Sequence, residues 1–441
     1  MKQYPFPQNR RYTAAFGVFL FVMLLLARDT LITSIRLGFY RSQFWMLAGI
    51  ALLGLAFLIR NRRNLREILT DRRMAVLAVF SLVLLVPMVG KRDWQMMYFS
   101  ILLCLIFPVF LTYFTDSRRV AKYYVGILTA LGIYSVLATY LFRRLAWAGV
   151  FTPPVRVNDA GMEFFDFLLC FGVKNRFWHR NFGIFREPGV YQFFLILGLY
   201  LNNYLVDWKK EGVRWAVNLA LTLTMVTTFA IGGFVETGLF ALFLYFDKGY
   251  HRTKTGRLVG ISAVGVALGA VLYILVQMRR PGFAHTIFYE FYDMFIRLTT
   301  DSESMLDRLS AIFTDVEFFL QHPLLGERIA PVLHGTNHNT SSTLLLFAIL
   351  GVAGGTLHLA TWIALLWKRE RNFLGNLILL GIFLMSFNTQ NLIADVFFWL
   401  FPCMALVERG LPKMIKERSM ADGTGTAAKS SADAAGDCQG D

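Results

Sequence analysis

Apolar residues in this chain gather into long unbroken runs separated by short polar stretches, rather than recurring at the three-and-four spacing of a half-wetted helix. Runs long enough to cross about 30 Å of hydrocarbon begin near Thr13, Gln43, Met74, Gln95, Val120, Val190, Trp215, Phe234, Leu258, Ser341, Phe373 and Leu392. The pattern predicts an all-α fold, a polytopic transmembrane helical bundle of about 12 spans. Phe234 to Phe246 is short for a span, and the last two runs meet at Asn388 to Asp395 in what reads as a tight helical hairpin.

Composition agrees with that pattern, since 56% hydrophobic residues and 15% aromatics exceed what a soluble core of 441 residues needs. Charge adds a direction. The 44 Lys and Arg outnumber 29 Asp and Glu, and they bunch between the apolar runs. If the N-terminus is cytoplasmic, 27 basic residues fall on that side, whereas the short outer loops hold only Arg28, Arg36, Arg41, Lys91 and Arg92. Positive charge prefers the cytoplasm, so both termini are expected there. Residues 1–418 form one transmembrane domain, and 419–441, rich in Ala, Gly, Ser and Asp, are expected to be a disordered cytoplasmic tail. Cys104, Cys170, Cys403 and Cys438 lack metal or redox spacing, which argues against a disulfide framework. The first apolar run ends in Arg28-Asp29 without a small-residue cleavage pattern, so no removable signal peptide is expected.

Two long segments, about 143–189 and 278–340, fall on the outer face, where long loops in a compact chain usually carry function. The first holds seven basic and four acidic residues and looks built to meet an anion. Its apolar run Phe164 to Val173 is too short to span and reads as an interfacial or re-entrant helix. Next comes Asn175-Arg-Phe-Trp-His-Arg-Asn-Phe-Gly-Ile-Phe-Arg-Glu-Pro-Gly-Val-Tyr-Gln192, with Pro188 suited to open a helix. Arg186 beside the free N–H groups of that helix would favour an anion such as phosphate. Snorkelling or contact with lipid phosphates explains these arginines as well.

The second segment predicts an amphipathic helix over Ser302 to His322, its apolar face formed by Met305, Leu309, Ile312, Phe313, Val316, Phe319 and Leu320. Arg308 borders that face and could reach a cavity beneath or pair with Asp307 or Asp315. Before the next span stands His334-Gly-Thr-Asn-His-Asn-Thr340. His338 there could serve as a general base, while capping or hydrogen bonding is the simpler role for His338 or Asn339. His334 and His338 lack a carboxylate third ligand, so no metal is predicted. Glu236, at membrane depth, is a second candidate base or a local hydrogen-bond partner of Thr237. Arg28-Asp29, Asn388, Gln390, Asn391 and Asp395 are also polar residues near that face.

Two motifs resemble the bacterial O-antigen and exopolysaccharide polymerase family and its relatives, the O-antigen ligases. One is Gly183-Ile-Phe-Arg-Glu-Pro-Gly-Val-Tyr-Gln192; the other joins the Arg308 helix, His322-Pro-Leu-Leu-Gly326, His338-Asn339 and Leu350-Gly-Val-Ala-Gly354. The resemblance implies a glycosyltransferase using an undecaprenyl-pyrophosphate-linked oligosaccharide on the outer side of the bacterial inner membrane, without metal or other cofactor. It implies that Arg186 and Arg308, supported by Arg180, hold the pyrophosphate. His338 would take the acceptor's proton, or would position the acceptor if Glu187 or Glu236 is the base, and Asn339, His334 and Glu236 are the further candidates for positioning it. Expected partners are membrane lipids, a chain-length regulator and a flippase, and no nucleic acid. The Arg-Glu-Pro-Gly form is more similar to polymerases than to ligases, which transfer to lipid A core. Two other readings are a flippase without chemistry, which would put cations deep in both halves and show internal repeats, and a membrane anchor.

Overall fold

A computed structural model describes residues 10–37, 71–158, 161–175, 179–277, 303–334 and 341–410, with a few residues between 44 and 55 and between 289 and 292. The run beginning near Gln43 lies largely outside the described residues, as do His338, Asn339 and the tail 419–441. The described chain is mostly helical. Its helices are α1 (Arg10–Leu25), α2 (Arg72–Gly90), α3 (Met96–Leu111), α4 (Ser117–Leu137) and α5 (Pro188–Tyr204). They continue as α6 (Glu211–Thr227), α7 (Ile231–Asp247), α8 (Lys254–Gln277), α9 (Glu303–Gln321) and α10 (Ile329–His334). Last come α11 (Thr343–Leu366), α12 (Phe373–Phe387) and α13 (Val396–Gly410).

Among the described residues, Arg72–Gly90, Ser117–Trp147 and Thr343–Leu366 are long and apolar enough to cross a membrane. Ala14–Leu25, Met96–Leu111 and Phe373–Phe387 are shorter apolar helices. Local caps fix several starts. Asp71 accepts from the Arg73 N–H at 3.1 Å, Asp116 from that of Arg119 at 2.7 Å and Asn372 from that of Gly375 at 2.7 Å.

Helix starts meet helix ends at three places. The start of α4 is bonded to the end of α13, where Ser117 donates through N and Oγ to Glu408 at 2.7 and 2.6 Å. The end of α7 meets the start of α12 through Asp247 and Arg371, 2.7 Å apart. The start of α2 meets the end of α3 where Arg73 Nη1 donates to the Thr112 carbonyl at 3.1 Å. At the centre stands α5, packed against α4, α6 and α7. Every residue from Val190 to Asn203 is buried, as expected of a helix apolar on all sides.

Three expectations are corrected. Phe164 to Val173 is not an interfacial helix. It supplies two strands of an antiparallel sheet, β1 (Val155–Val157), β2 (Glu163–Asp166) and β3 (Phe171–Val173), with Arg156 opposite Phe164 and Phe165 opposite Gly172. Asp166 Oδ1 accepts from the Leu168 N–H at 3.0 Å to make the turn. Phe165 packs into the main core, while Phe164 and Phe171 join Leu31 and Phe182 in a second cluster. With both faces buried the run lacks alternation and mimics a helix.

The predicted apolar face of α9 is only partly turned inward: Ile312 and Phe319 are half-buried, with Phe319 5.2 Å from the Phe347 ring of α11, but Phe313 and Leu320 are each 70% exposed, while Ala311 and Asp315 are buried. In a membrane chain lipid is as apolar as a core, so hydrophobicity does not mark the inner face. Finally, α12 and α13 make no tight hairpin: α12 packs on α7 and α11, and α13 on α3 and α11.

Helix α11 is broken at Gly351, whose φ of 66° and ψ of −164° suit glycine alone. The turn Pro323–Gly326 fills the gap. Val352 N donates to the Pro323 carbonyl at 2.8 Å, and Glu327 N to the Ala348 carbonyl at 2.7 Å. Lys91 Nζ, from the α2–α3 loop, closes the joint by donating to the carbonyls of Ile349 at 2.6 Å and Glu327 at 2.7 Å. Two residues on, Asp93 Oδ2 accepts from Ile329 N at 2.7 Å, capping α10.

Candidate functional site

The segment from His179 to Glu187 is held from three sides at the end of the bundle that carries the sheet. Asn181, fully buried, donates through Nδ2 to Ser135 Oγ on α4 and Thr227 Oγ1 on α6, each at 2.9 Å, and accepts from Gly183 N at 2.9 Å. Phe171 N on β3 donates to the Gly183 carbonyl at 3.1 Å. On the far side the turn after α1 runs antiparallel to it: Leu31 N donates to the Ile184 carbonyl at 2.7 Å, and Arg186 N to the Asp29 carbonyl at 2.9 Å. Phe185 is buried against Tyr191 and Phe194 of α5, ring centroids 5.1 and 4.2 Å away. That anchor fixes the backbone at Arg186.

The Arg186 guanidinium lies between two carboxylates. Its Nη2 is 3.8 Å from Asp29 Oδ1 and 3.6 Å from Glu187 Oε1. Glu187 is the N-cap residue of α5, with Pro188 in the first turn. Arg308, half-buried on α9, feels the Glu187 charge. Burial pushes its pKa below the ordinary arginine value, and Glu187 opposes that shift. The structure thus pairs Arg186 with Glu187 and Asp29, and puts the charge of Arg308, from a distant stretch of sequence, within the electrostatic reach of Glu187.

Four other basic residues of the first long segment are engaged elsewhere. Arg143 is buried, donating to the Val173 carbonyl at 3.3 Å, and Arg156 pairs with Asp166 at 3.6 Å. Lys174 pairs with Glu163 at 2.8 Å, and Arg180 Nη2 donates to the Phe229 carbonyl at 2.8 Å. Arg156 and Lys174 are thus matched by carboxylates of the same segment, and Arg143 and Arg180 are held by backbone carbonyls.

Glu236, fully buried on α7, accepts from Gln192 Nε2 of α5 at 3.3 Å, while Thr237 Oγ1 makes no hydrogen bond. Its described hydrogen bond is with this amide rather than with Arg186 or Arg308. His334 ends α10, with its side chain outside the description, and the pair His338-Asn339 lies outside the described residues. The next described residues, Ser341 and Ser342, are tied to the connection before α13. Ser341 Oγ donates to Asn388 Oδ1 at 3.0 Å and Ser342 Oγ to the Gln390 carbonyl at 2.5 Å. The Gln390 amide in turn lies against Gly189 at the start of α5.

Asn181, Lys91 and Asp93 were given no role from sequence. Asn181 stands two before Gly183, a turn spacing, but Lys91 and Asp93 act on backbone groups far along the chain and leave no local signal. Among the described residues, no group of three metal-ligating side chains occurs. Compared with known protein families and with curated proteins, the chain has no match.

Proposed function

We propose that the chain is a membrane glycosyltransferase that polymerises undecaprenyl-pyrophosphate-linked oligosaccharide repeat units on the periplasmic face of a bacterial inner membrane. The single observation that carries this reading is the meeting of Arg186 with the Glu187 carboxylate, whose charge also reaches Arg308. About 12 spans with both termini cytoplasmic would put that meeting point on the outer face, where lipid-linked repeat units reside. The start-to-end meeting of the successive helices α2 and α3 supports such a topology.

The reaction needs fixed positive charge and a base. An acceptor hydroxyl attacks the anomeric carbon, a new C–O bond forms, and the C–O bond to the pyrophosphate breaks. The hydroxyl proton passes to the base, and the polyprenyl pyrophosphate departs with its electron pair. Guanidinium forks match phosphate oxygens in two-point contacts, so Arg186 and Arg308 would stabilise the charge that grows on the leaving group. His338 is one candidate base, and Glu187 and Glu236 are the others. Attack opposite the leaving group inverts the anomeric centre. The energy resides in the glycosyl pyrophosphate, so no nucleotide is needed.

Reconstitution with a lipid-linked repeat unit tests the reading, with product length read on a gel. Long polymer from the parent and its loss in Arg186→Ala, Arg308→Ala and His338→Ala are expected. Full activity in all three variants would reject the site, and transfer of finished chains to lipid A core would assign a ligase instead.

A further inference from the structure

The two carboxylates that flank Arg186 stand at almost equal distances, 3.8 Å for Asp29 and 3.6 Å for Glu187, yet in opposite surroundings. The Asp29 side chain is 4% exposed and that of Glu187 49%. Asp29 is bound to the same residue a second time, its carbonyl accepting from Arg186 N at 2.9 Å. Its Oδ2 is buried without a hydrogen-bond partner, and its charge acts on Asp395, another buried carboxylate with an unbonded Oδ2. Pulling Arg186 away would leave Asp29 as a buried charge without its cation beside a second acid, a costly arrangement. Glu187 carries no such penalty, because it can turn into water, and it is also the carboxylate whose charge reaches Arg308.

We infer that Asp29 is a positioning residue that aims Arg186, whereas Glu187 is a resident counter-ion that gives way when a diphosphate arrives between Arg186 and Arg308. In the resting protein Glu187 occupies the electrostatic position a diphosphate oxygen would take. Asp29 remains in place during the exchange and spares the long Arg186 side chain a loss of rotamer freedom on binding. The inference rests on the reading of Arg186 and Arg308 as the diphosphate-holding pair and adds how that pair is kept ready.

Removing either negative charge would tighten anion binding if charge alone mattered, because the two lie equally close. Positioning predicts opposite signs. The full chain, in nanodiscs of phosphatidylcholine, is titrated with inorganic pyrophosphate by calorimetry, and the unfolding temperature of each variant is recorded. Glu187→Gln is expected to bind about tenfold tighter, and Asp29→Asn about tenfold weaker, with unfolding temperatures close to the parent's. Asp29→Glu keeps the charge but displaces the carboxylate by one methylene, and it too is expected to weaken binding about tenfold. Tighter binding in Asp29→Asn, parental affinity in Asp29→Glu, or unchanged or weaker binding in Glu187→Gln would each overturn the inference. Should Asp29→Asn not fold, Asp29→Glu and Glu187→Gln decide the matter. The predicted signs without polymer synthesis on a lipid-linked substrate would defeat the polymerase reading and leave this inference standing. Equal indifference of the parent and Arg186→Ala to pyrophosphate would defeat both.

Discussion

The Lys91 ammonium donates to the Ile349 carbonyl at 2.6 Å, joining the α2–α3 loop to the broken part of α11. It also holds the Glu327 carbonyl, so one side chain satisfies an acceptor freed by the break and another on the turn that fills it. Lys91→Met is expected to lower stability by about 2 kcal/mol, since both carbonyls lose a charged donor. Thermal unfolding in detergent measures it.

The same lysine sets a pH dependence. Burial lowers its pKa from 10.5 to about 8, with Asp93 and Glu327 opposing the shift. The unfolded chain therefore binds more protons between about pH 8 and 10.5, and this group's contribution to stability rises with pH across that window. It is lost as pH falls through 8. The stability difference between the parent and Lys91→Met, followed from pH 7 to 10, should shift in the parent's favour; a flat difference would contradict the assignment.

Gly351 combines a positive φ with a missing side chain whose Cβ would strike the Leu324 carbonyl. Gly351→Ala is expected to cost about 3 kcal/mol or more, from backbone strain and the displaced turn. Gly326, at φ 71° and facing Ile349 across the same joint, should be nearly as intolerant. Unfolding temperature and yield of folded protein check both.

Asn181→Ala removes bonds to Ser135, Thr227 and Gly183 inside the core. About 3 kcal/mol of stability should be lost, and because the segment leads directly to Arg186, pyrophosphate affinity should fall with it. Asn181→Leu, which fills the space but restores no bond, should not recover either property.

Arg308→Lys keeps the charge on α9 and loses the two-point fork. Polymer synthesis should drop about tenfold, and Arg308→Ala about a hundredfold, in initial-rate assays with a lipid-linked repeat unit. Equal rates for lysine and arginine would show that only charge is needed.

Much of the architecture could be read from the pattern of apolar runs. Pro188 opens α5, and Pro323 lies just beyond the end of α9, because proline lacks the N–H that a helix interior requires. The sheet escaped detection because Phe164 to Val173 is buried on both faces and carries no alternation. The face of α9 is only partly legible, because its apolar residues run over more of the helix than packs, leaving Phe313 and Leu320 exposed while Phe319 meets Phe347. At the site, Arg186 and Glu187 stand out through Pro188 and Gly189 after them. Asp29 does not, since its partner lies in a segment far along the chain and only the folded turn brings them side by side. Lys91 reads as loop charge, although one of the two carbonyls it reaches, that of Ile349, is available only through an interruption at Gly351.

That interruption bears on biogenesis. A helix with open peptide groups is ill suited to enter hydrocarbon alone. Yet the ribosome delivers Lys91 first, then Pro323 to Glu327, and Gly351 last. Each donor and acceptor that heals the gap has thus been synthesised before the gap itself leaves the exit tunnel. Insertion of α11 then becomes a docking step onto a waiting receptor of its own chain, and moving that receptor behind Gly351 by circular permutation would strand the nascent helix.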